Sequence, residues 1–245
     1  MRDIVNVLHS PKRVRVKFGG ETVADSREVL VLRSNHALPV YFFPRAAVPT
    51  GVLQPSAHRG RHELGGEVVY QSLVAGGARA ENAAWGVPNP PHPALDALRD
   101  RIAFDWNAVD QWFEEDEEVF VHARDPYARI DALRSTSRVE VRLDAEVIAA
   151  SARPVLLFET HLPTRFYIPH ADVRLDRLVP SQTQTRCPYK GIASYWSAQR
   201  ADGSILPDVA WEYRDPIPEI PKIKGLIAFY PDRVDEIRLD GERVS

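Results

Sequence analysis

The feature that most constrains this chain is that its sequence is written twice. "RVRVKFGGETVADSREVLVLRSNHALPVYFFPRAAVPTGVLQPS", from Arg13 to Ser56, aligns without a gap with "RVEVRLDAEVIAASARPVLLFETHLPTRFYIPHADVRLDRLVPS", from Arg138 to Ser181, at an offset of 125 residues. Val14 meets Val139, Glu21 meets Glu146, Ser26 meets Ser151, His36 meets His161, Pro44 meets Pro169, and Pro55-Ser56 meets Pro180-Ser181. The register continues through Arg61, Gly66, Tyr70 and Ser72 against Arg186, Gly191, Tyr195 and Ser197. One residue gained in the second copy sets Trp85 opposite Trp211, and the offset of 125 returns at Ile102–Phe104 against Ile227–Phe229. A repeat of this length means two copies of one folding unit. The first domain is expected over residues 1–122 and the second over 123–245, with the small and polar stretch 120–137 as linker.

Local patterns are those of strands. "RVRVKF" and "RVEVRL" alternate polar and apolar residues as half-buried strands do. "EVLVL", "PVLLF", "VYFF" and "RFYI" are short apolar runs between turn residues. Pro, Gly, Asn and Asp recur every several residues, which predicts a mainly β chain with little helix. The best helix is "HPALDALRDRI", where Pro93 suits the first turn and Leu95, Leu98 and Ile102 recur at helical spacing. Its counterpart "PEIPKIKGLI" carries an added proline and a glycine, so its helix is expected to be shorter or absent.

Composition narrows the function classes. A formal charge of −3 gives no basic excess for nucleic acid. The longest apolar runs are strand-length, well short of the roughly 20 residues that span a bilayer. The amino terminus breaks its apolar residues with Asp3, Asn6 and His9, so it lacks a signal core and a cytoplasmic protein is expected. A single cysteine excludes an intrachain disulfide, and without a second one a cysteine-based zinc site is not expected. His58 and His62 fall at i, i+4, but "SAHRGRHELGG" has no helical periodicity to bring them together, so no metal is predicted. The acidic run Glu114 to Glu118 is expected to be a solvated turn.

At "RFYIPHADV", "RCPYKGIASYW", "AWEYRDPIPE" and "KGLIAFYPDRV" the chain closely resembles a bacterial family catalogued as domain of unknown function 427, which also carries a label likening it to nucleotidyltransferases. The resemblance covers both repeats, and "VHARDPYARIDAL" is similar to the linker of the family's tandem actinobacterial members. What the resemblance implies is two β-tent, or Mss4-like, domains, in which two antiparallel sheets lean together over a pocket. Relatives of that fold bind zinc through cysteine pairs, which this chain does not have.

The candidate site is in the second repeat. In "CPYKG", Pro188 suits the second position of a β-turn, which brings Cys187 and Lys190 close together. An ammonium beside a thiol favours the nucleophilic thiolate, so these two are the candidate catalytic residues. Opposed to this, a lone cysteine also serves as a small buried hydrophobe. In "GIASYW", Ala193 and Tyr195 share one face, and in "VAWEY" Val209, Trp211 and Tyr213 share one. Tyr167, Tyr195, Trp211 and Tyr213 are either core or the walls of a pocket for a planar or anionic ligand, with Asp172 and Arg186 as orienting groups. His161 is the weakest polar candidate, since His36 matches it and a conformational role serves as well. In the first repeat His62 replaces Cys187, Gly65 replaces Lys190 and Ala47 replaces Asp172, while Tyr70 and Trp85 remain. That copy therefore reads as a partner domain with a degenerate site.

Three functions compete. One is a small-molecule site in the carboxy-terminal repeat, with Cys187 and Lys190 as an enzymatic pair; another is a ligand-binding or interaction module without chemistry. The third, a nucleotidyltransferase, needs metal-holding carboxylates spaced as Asp-x-Asp, whereas in "DGSILPDVAW" Asp208 is followed by Val209 and Ala210. The cofactor is left open, as is whether the repeats act within one chain or across a homodimer.

Overall fold

The computed structural model of the chain describes residues 5–34, 37–61 and 66–244. Two compact units divide it, Met1–Pro126 and Tyr127–Ser245. In the first, the strands are β1 Val5–His9, β2 Val14–Phe18, β3 Glu21–Ser26, β4 Leu30–Ser34, β5 Val40–Pro44, β6 Leu53–Arg61, β7 Glu67–Ala75, β8 Ala78–Gly86, β9 Arg101–Phe104, β10 Gln111–Glu114 and β11 Glu117–Val119. In the second they are β12 Ile130–Arg134, β13 Val139–Leu143, β14 Glu146–Ser151, β15 Val155–Glu159, β16 Arg165–Pro169, β17 Leu178–Cys187, β18 Gly191–Gln199, β19 Ile205–Glu212, β20 Leu226–Phe229, β21 Glu236–Leu239 and β22 Glu242–Arg243.

Each unit holds a seven-stranded and a four-stranded antiparallel sheet. The first has the orders β1-β4-β5-β9-β8-β7-β6 and β11-β10-β2-β3; the second repeats them as β12-β15-β16-β20-β19-β18-β17 and β14-β13-β21-β22. The alternating strands β2 and β13 turn Val14, Val16 and Phe18, or Val139, Val141 and Leu143, into the core between the sheets. Central strand β5 instead buries Tyr41, Phe42 and Phe43 together, because both faces of the larger sheet are covered. Tyr41 and Phe43 belong to the core between the sheets, and Phe42 to a second cluster on the outer face.

A short segment roofs that outer face. Pro93–Leu98 forms a 3-10 helix, capped by the His92 ring accepting from the Ala94 N–H at 3.1 Å, and it buries Leu95 and Leu98. The corresponding Pro221–Ile223 keeps a single 3-10 turn and buries Ile223, with Ile220 packed beside it.

The structure departs from the sequence expectations in three places. The stretch 120–137 is not all linker: Ala123 packs in the first core, Arg33 binds Asp125 at 2.6 Å, and Ile130–Arg134 is edge strand β12 beside β15. Glu114 of the acidic run is buried, with Lys12 at 2.6 Å and the Tyr41 hydroxyl donating to it, so only part of that run is a solvated turn. Val209 leaves the face of Trp211, because Asp208 is left-handed at φ 51° and a bulge interrupts the pairing between Trp196 and Ala198; it joins the core between the sheets. His161 has φ 66°, a conformational role of the kind the sequence left open. No helix among the described residues is long and apolar enough to cross a membrane.

Candidate functional site

The β17–β18 hairpin builds the turn read from "CPYKG". Cys187 pairs with Gly191, and the Lys190 N–H donates to the Cys187 carbonyl at 3.4 Å. Gly191 stands at φ 102°, a value open to glycine. The Lys190 carbonyl accepts from the Ile217 N–H at 3.2 Å, so the loop after β19 holds the turn from outside.

Lys190 is 8% exposed, and its ammonium forms a short ion pair with the Glu159 carboxylate at the end of β15. Glu159 was missed by sequence reasoning. A signal was present: at offset 125 it faces Ser34, just as Lys190 faces Gly65, so both members of the pair change together between the copies.

Cross-strand pairing assembles the rest. Thr185 lies opposite Ala193, Cys187 opposite Gly191, and Tyr195 opposite Trp211. Opposed residues share a face, so the half-buried Cys187 stands on the outer face with Thr185, Tyr195, Trp211 and Tyr213. The Trp211 indole donates to the Tyr167 hydroxyl at 3.1 Å, their rings edge to face at 6.2 Å. Tyr195 exchanges hydrogen bonds with Thr185 Oγ1 at 2.8 Å and with Tyr230 Oη at 3.3 Å. Tyr230, also missed from the sequence, lies 4.4 Å from the Trp211 ring, and the Arg165 guanidinium stands 5.8 Å from that ring's centroid. Apolar Val155, Leu157, Ile220 and Ile223 close the cluster.

Burial decides the protonation of these phenols. Tyr167 and Tyr213 are raised well above the ordinary tyrosine value, first by desolvation; for Tyr213 the neighbouring Tyr167, Cys187, Tyr195 and Glu159 add to it. Tyr230 is pushed up to about 12 by burial and its bond to Tyr195. All three stay protonated at neutral pH, so none of them serves as a base.

Two candidate residues stand apart from this cluster. Asp172 binds Ser151 Oγ at 2.7 Å and the Arg153 guanidinium at 3.1 Å, and the arginine holds its carboxyl below the usual range. Arg186 is exposed and pairs with Ile192, on the face opposite Cys187. That opposite face holds another group the sequence did not reveal: Glu212, 3% exposed, binds His170 Nε2 at 2.8 Å and Arg214 Nε at 2.9 Å.

In the first repeat, Phe42 and Trp85 keep the edge-to-face pair at 5.1 Å. His62 and Gly65, aligned with Cys187 and Lys190, lie outside the described residues, as does His36. Among the described residues no three His, Cys, Asp or Glu side chains gather as a metal would require.

The chain belongs to the family described as domain of unknown function (DUF427), whose profile matches residues 6–115 and 131–240, once in each unit. No curated protein matches it.

Proposed function

We propose that this DUF427 protein binds a small molecule on the outer face of its second repeat, where the ligand meets Lys190, Glu159, Cys187 and the hydroxyls of Tyr195 and Tyr230. The observation that carries this is the Lys190–Glu159 pair in an otherwise aromatic and aliphatic cluster. Burying two charges costs several kcal/mol per ion, and apolar residues of equal volume often replace such a pair without loss. The first repeat builds the same sheet with Ser34 and Gly65 at these positions, so the fold does not require the pair. Polar groups retained at that cost suit recognition of a polar, planar ligand.

Binding without covalent chemistry is the favoured form, because the ammonium expected to assist Cys187 is engaged by Glu159. The position of Cys187 on the same face supports a second reading, in which the thiol attacks a bound electrophile.

Thermal-shift screening against a metabolite library tests the first. A ligand at 100 times its Kd stabilises the protein by about 2.7 kcal/mol. The expected result is a hit that shifts wild type and not the Glu159→Leu/Lys190→Met variant; hits that shift both equally overturn the reading. For the second, iodoacetamide should alkylate native Cys187 faster than a free thiol, and a thiol silent until denaturation removes the catalytic form.

A further inference from the structure

The buried Glu212 of the second repeat is matched in the first by Gly86, one residue after the aligned tryptophans. Strand pairing agrees, because Gly86 lies opposite Val69 as Glu212 lies opposite Ser194. Two neighbouring positions change with it. His170, which binds Glu212 at 2.8 Å, is matched by Arg45, and Trp196, whose ring meets His170 edge to face at 6.2 Å, is matched by Gln71. The first repeat therefore keeps a basic side chain here but has neither the carboxylate nor the indole.

A cavity of about 210 Å3 lies at these positions in the first repeat. Val69, Gln71 and Gly86 line it from the face of the sheet opposite Trp85, and Arg45, Pro88 and Arg99 line it from the segments that flank the strands. The Arg45 guanidinium donates to Gln71 Oε1 at 3.1 Å, and the Arg99 guanidinium donates to the Pro88 carbonyl at 3.3 Å, so both are tied to other residues of the wall. Arg99 is also paired with Asp96 at 3.1 Å. Arg45 differs: among the described residues its partner is a neutral amide and no carboxylate, and that bond uses one of its five N–H donors. Asp100 lines the cavity too, but no ion pair joins it to either arginine among the described residues.

We propose that this cavity binds a small organic carboxylate, which takes at Arg45 the place that the second repeat fills with Glu212 at His170. A planar guanidinium matches a carboxylate in a two-pronged, charge-assisted bond, and Arg45 has donors left to make it. Gly86 offers no side chain, and Gln71 is smaller than the aligned Trp196, so the body of the ligand has room beside Val69. The volume lies below the range of drug-sized pockets, which suits a compact ligand. This site is independent of the one proposed above, which lies on the other face of the sheet in the second repeat.

Isothermal titration calorimetry of the full chain with benzoate, its neutral isostere benzamide and inorganic phosphate tests the proposal. Benzoate is expected to bind at least about 10-fold tighter than benzamide, because charge-assisted bonds are roughly twice as strong as neutral ones. Phosphate, which has no apolar body, is expected to bind more weakly than benzoate. Arg45→Gln removes the charge at an exposed position and should weaken benzoate about 10-fold with benzamide unchanged. Gln71→Trp, which installs the ring of the second repeat, should abolish benzoate binding. If Gln71→Trp misfolds by circular dichroism, Arg45→Gln decides alone. The proposal is overturned if wild type does not bind benzoate, if benzamide or phosphate binds as tightly, if a folded Gln71→Trp variant binds benzoate like wild type, or if Arg45→Gln leaves the benzoate affinity unchanged.

Discussion

The outer face of the larger sheet is built twice on the same strand order and filled with opposite chemistry. In the first repeat it holds Leu30, Leu32, Phe42, Leu95 and Leu98, with Trp85 half-buried beside a cavity. In the second, Tyr167, Tyr213 and Tyr230 stand where the first has Phe42, Val87 and Asp105, and Glu159 and Arg165 stand where it has Ser34 and Val40. The edge-to-face aromatic pair and the apolar roof survive in both. These shared parts are what the sheet requires, and the hydroxyls, charges and thiol are what one copy has added.

The sharpest way to break this comparison is to remove the tryptophan from each copy in turn. Trp211 is enclosed by Tyr167 and Tyr230, and Trp211→Ala should cost about 4 kcal/mol, typical of a buried indole. Trp85 already borders empty space, so Trp85→Ala should cost about half as much, or about 2 kcal/mol. Urea denaturation, with hydrogen exchange resolving the two units, measures both. Equal costs would mean that the two faces are packed alike.

Next in size is the ion pair. Glu159→Ala leaves the Lys190 ammonium buried without its partner and should cost about 3 kcal/mol. Adding Lys190→Met should restore most of that loss, because the second repeat then approaches the neutral composition of the first. A double variant as unstable as the single one would make the pair a structural necessity and weaken the binding proposal. The readout is again the denaturation midpoint of the second unit.

Much of the fold was legible because it depends on local pattern and repetition. Alternation marked β2 and β13, apolar runs marked β4, β5, β15 and β16, and the duplication implied that both units share one sheet order. Strand β12 was hidden because "IDALR" and its twin "VNVLH" share little beyond Leu133 and Leu8; edge strands are held by backbone pairing, which leaves a faint side-chain pattern. In the site, the turn joining Cys187 to Lys190 followed from one proline. Glu159 lies 31 residues from Lys190 and reaches it across the folded sheet, so no local spacing indicates it. Tyr230 sits at the entrance to a 3-10 turn and carried no strand alternation. The swing of Val209 depends on a left-handed aspartate, which composition does not announce.

Alkaline pH should separate the repeats by a smaller effect. Tyr167, Tyr213 and Tyr230 are all raised in the folded state, whereas the aligned Phe42, Val87 and Asp105 carry no phenol. In the first repeat Tyr41 is raised, by burial and by Glu114. A raised tyrosine binds its proton more tightly when folded, so its contribution is complete below the unfolded value near 10. It is then lost as pH climbs from there toward about 12, the value for folded Tyr230. The second unit should therefore lose exchange protection first between these limits, and Tyr230→Phe should postpone that loss. Simultaneous loss in both units would erase the distinction.

The finest test concerns a single oxygen. Tyr167→Phe gives the second repeat the residue the first already has, keeping the ring against Trp211 while removing the acceptor of its indole N–H. A buried donor left without a partner costs about 1 kcal/mol or somewhat more, so a modest shift of the denaturation midpoint is expected. A double-mutant cycle with Trp211→Phe isolates the hydrogen bond: once the indole is gone, losing the hydroxyl should cost almost nothing. If Tyr167→Phe costs nothing even with Trp211 present, the hydroxyl is not held for stability. The difference between Phe42 and Tyr167 would then join Glu159 and Lys190 among the polar additions that the sheet itself does not need.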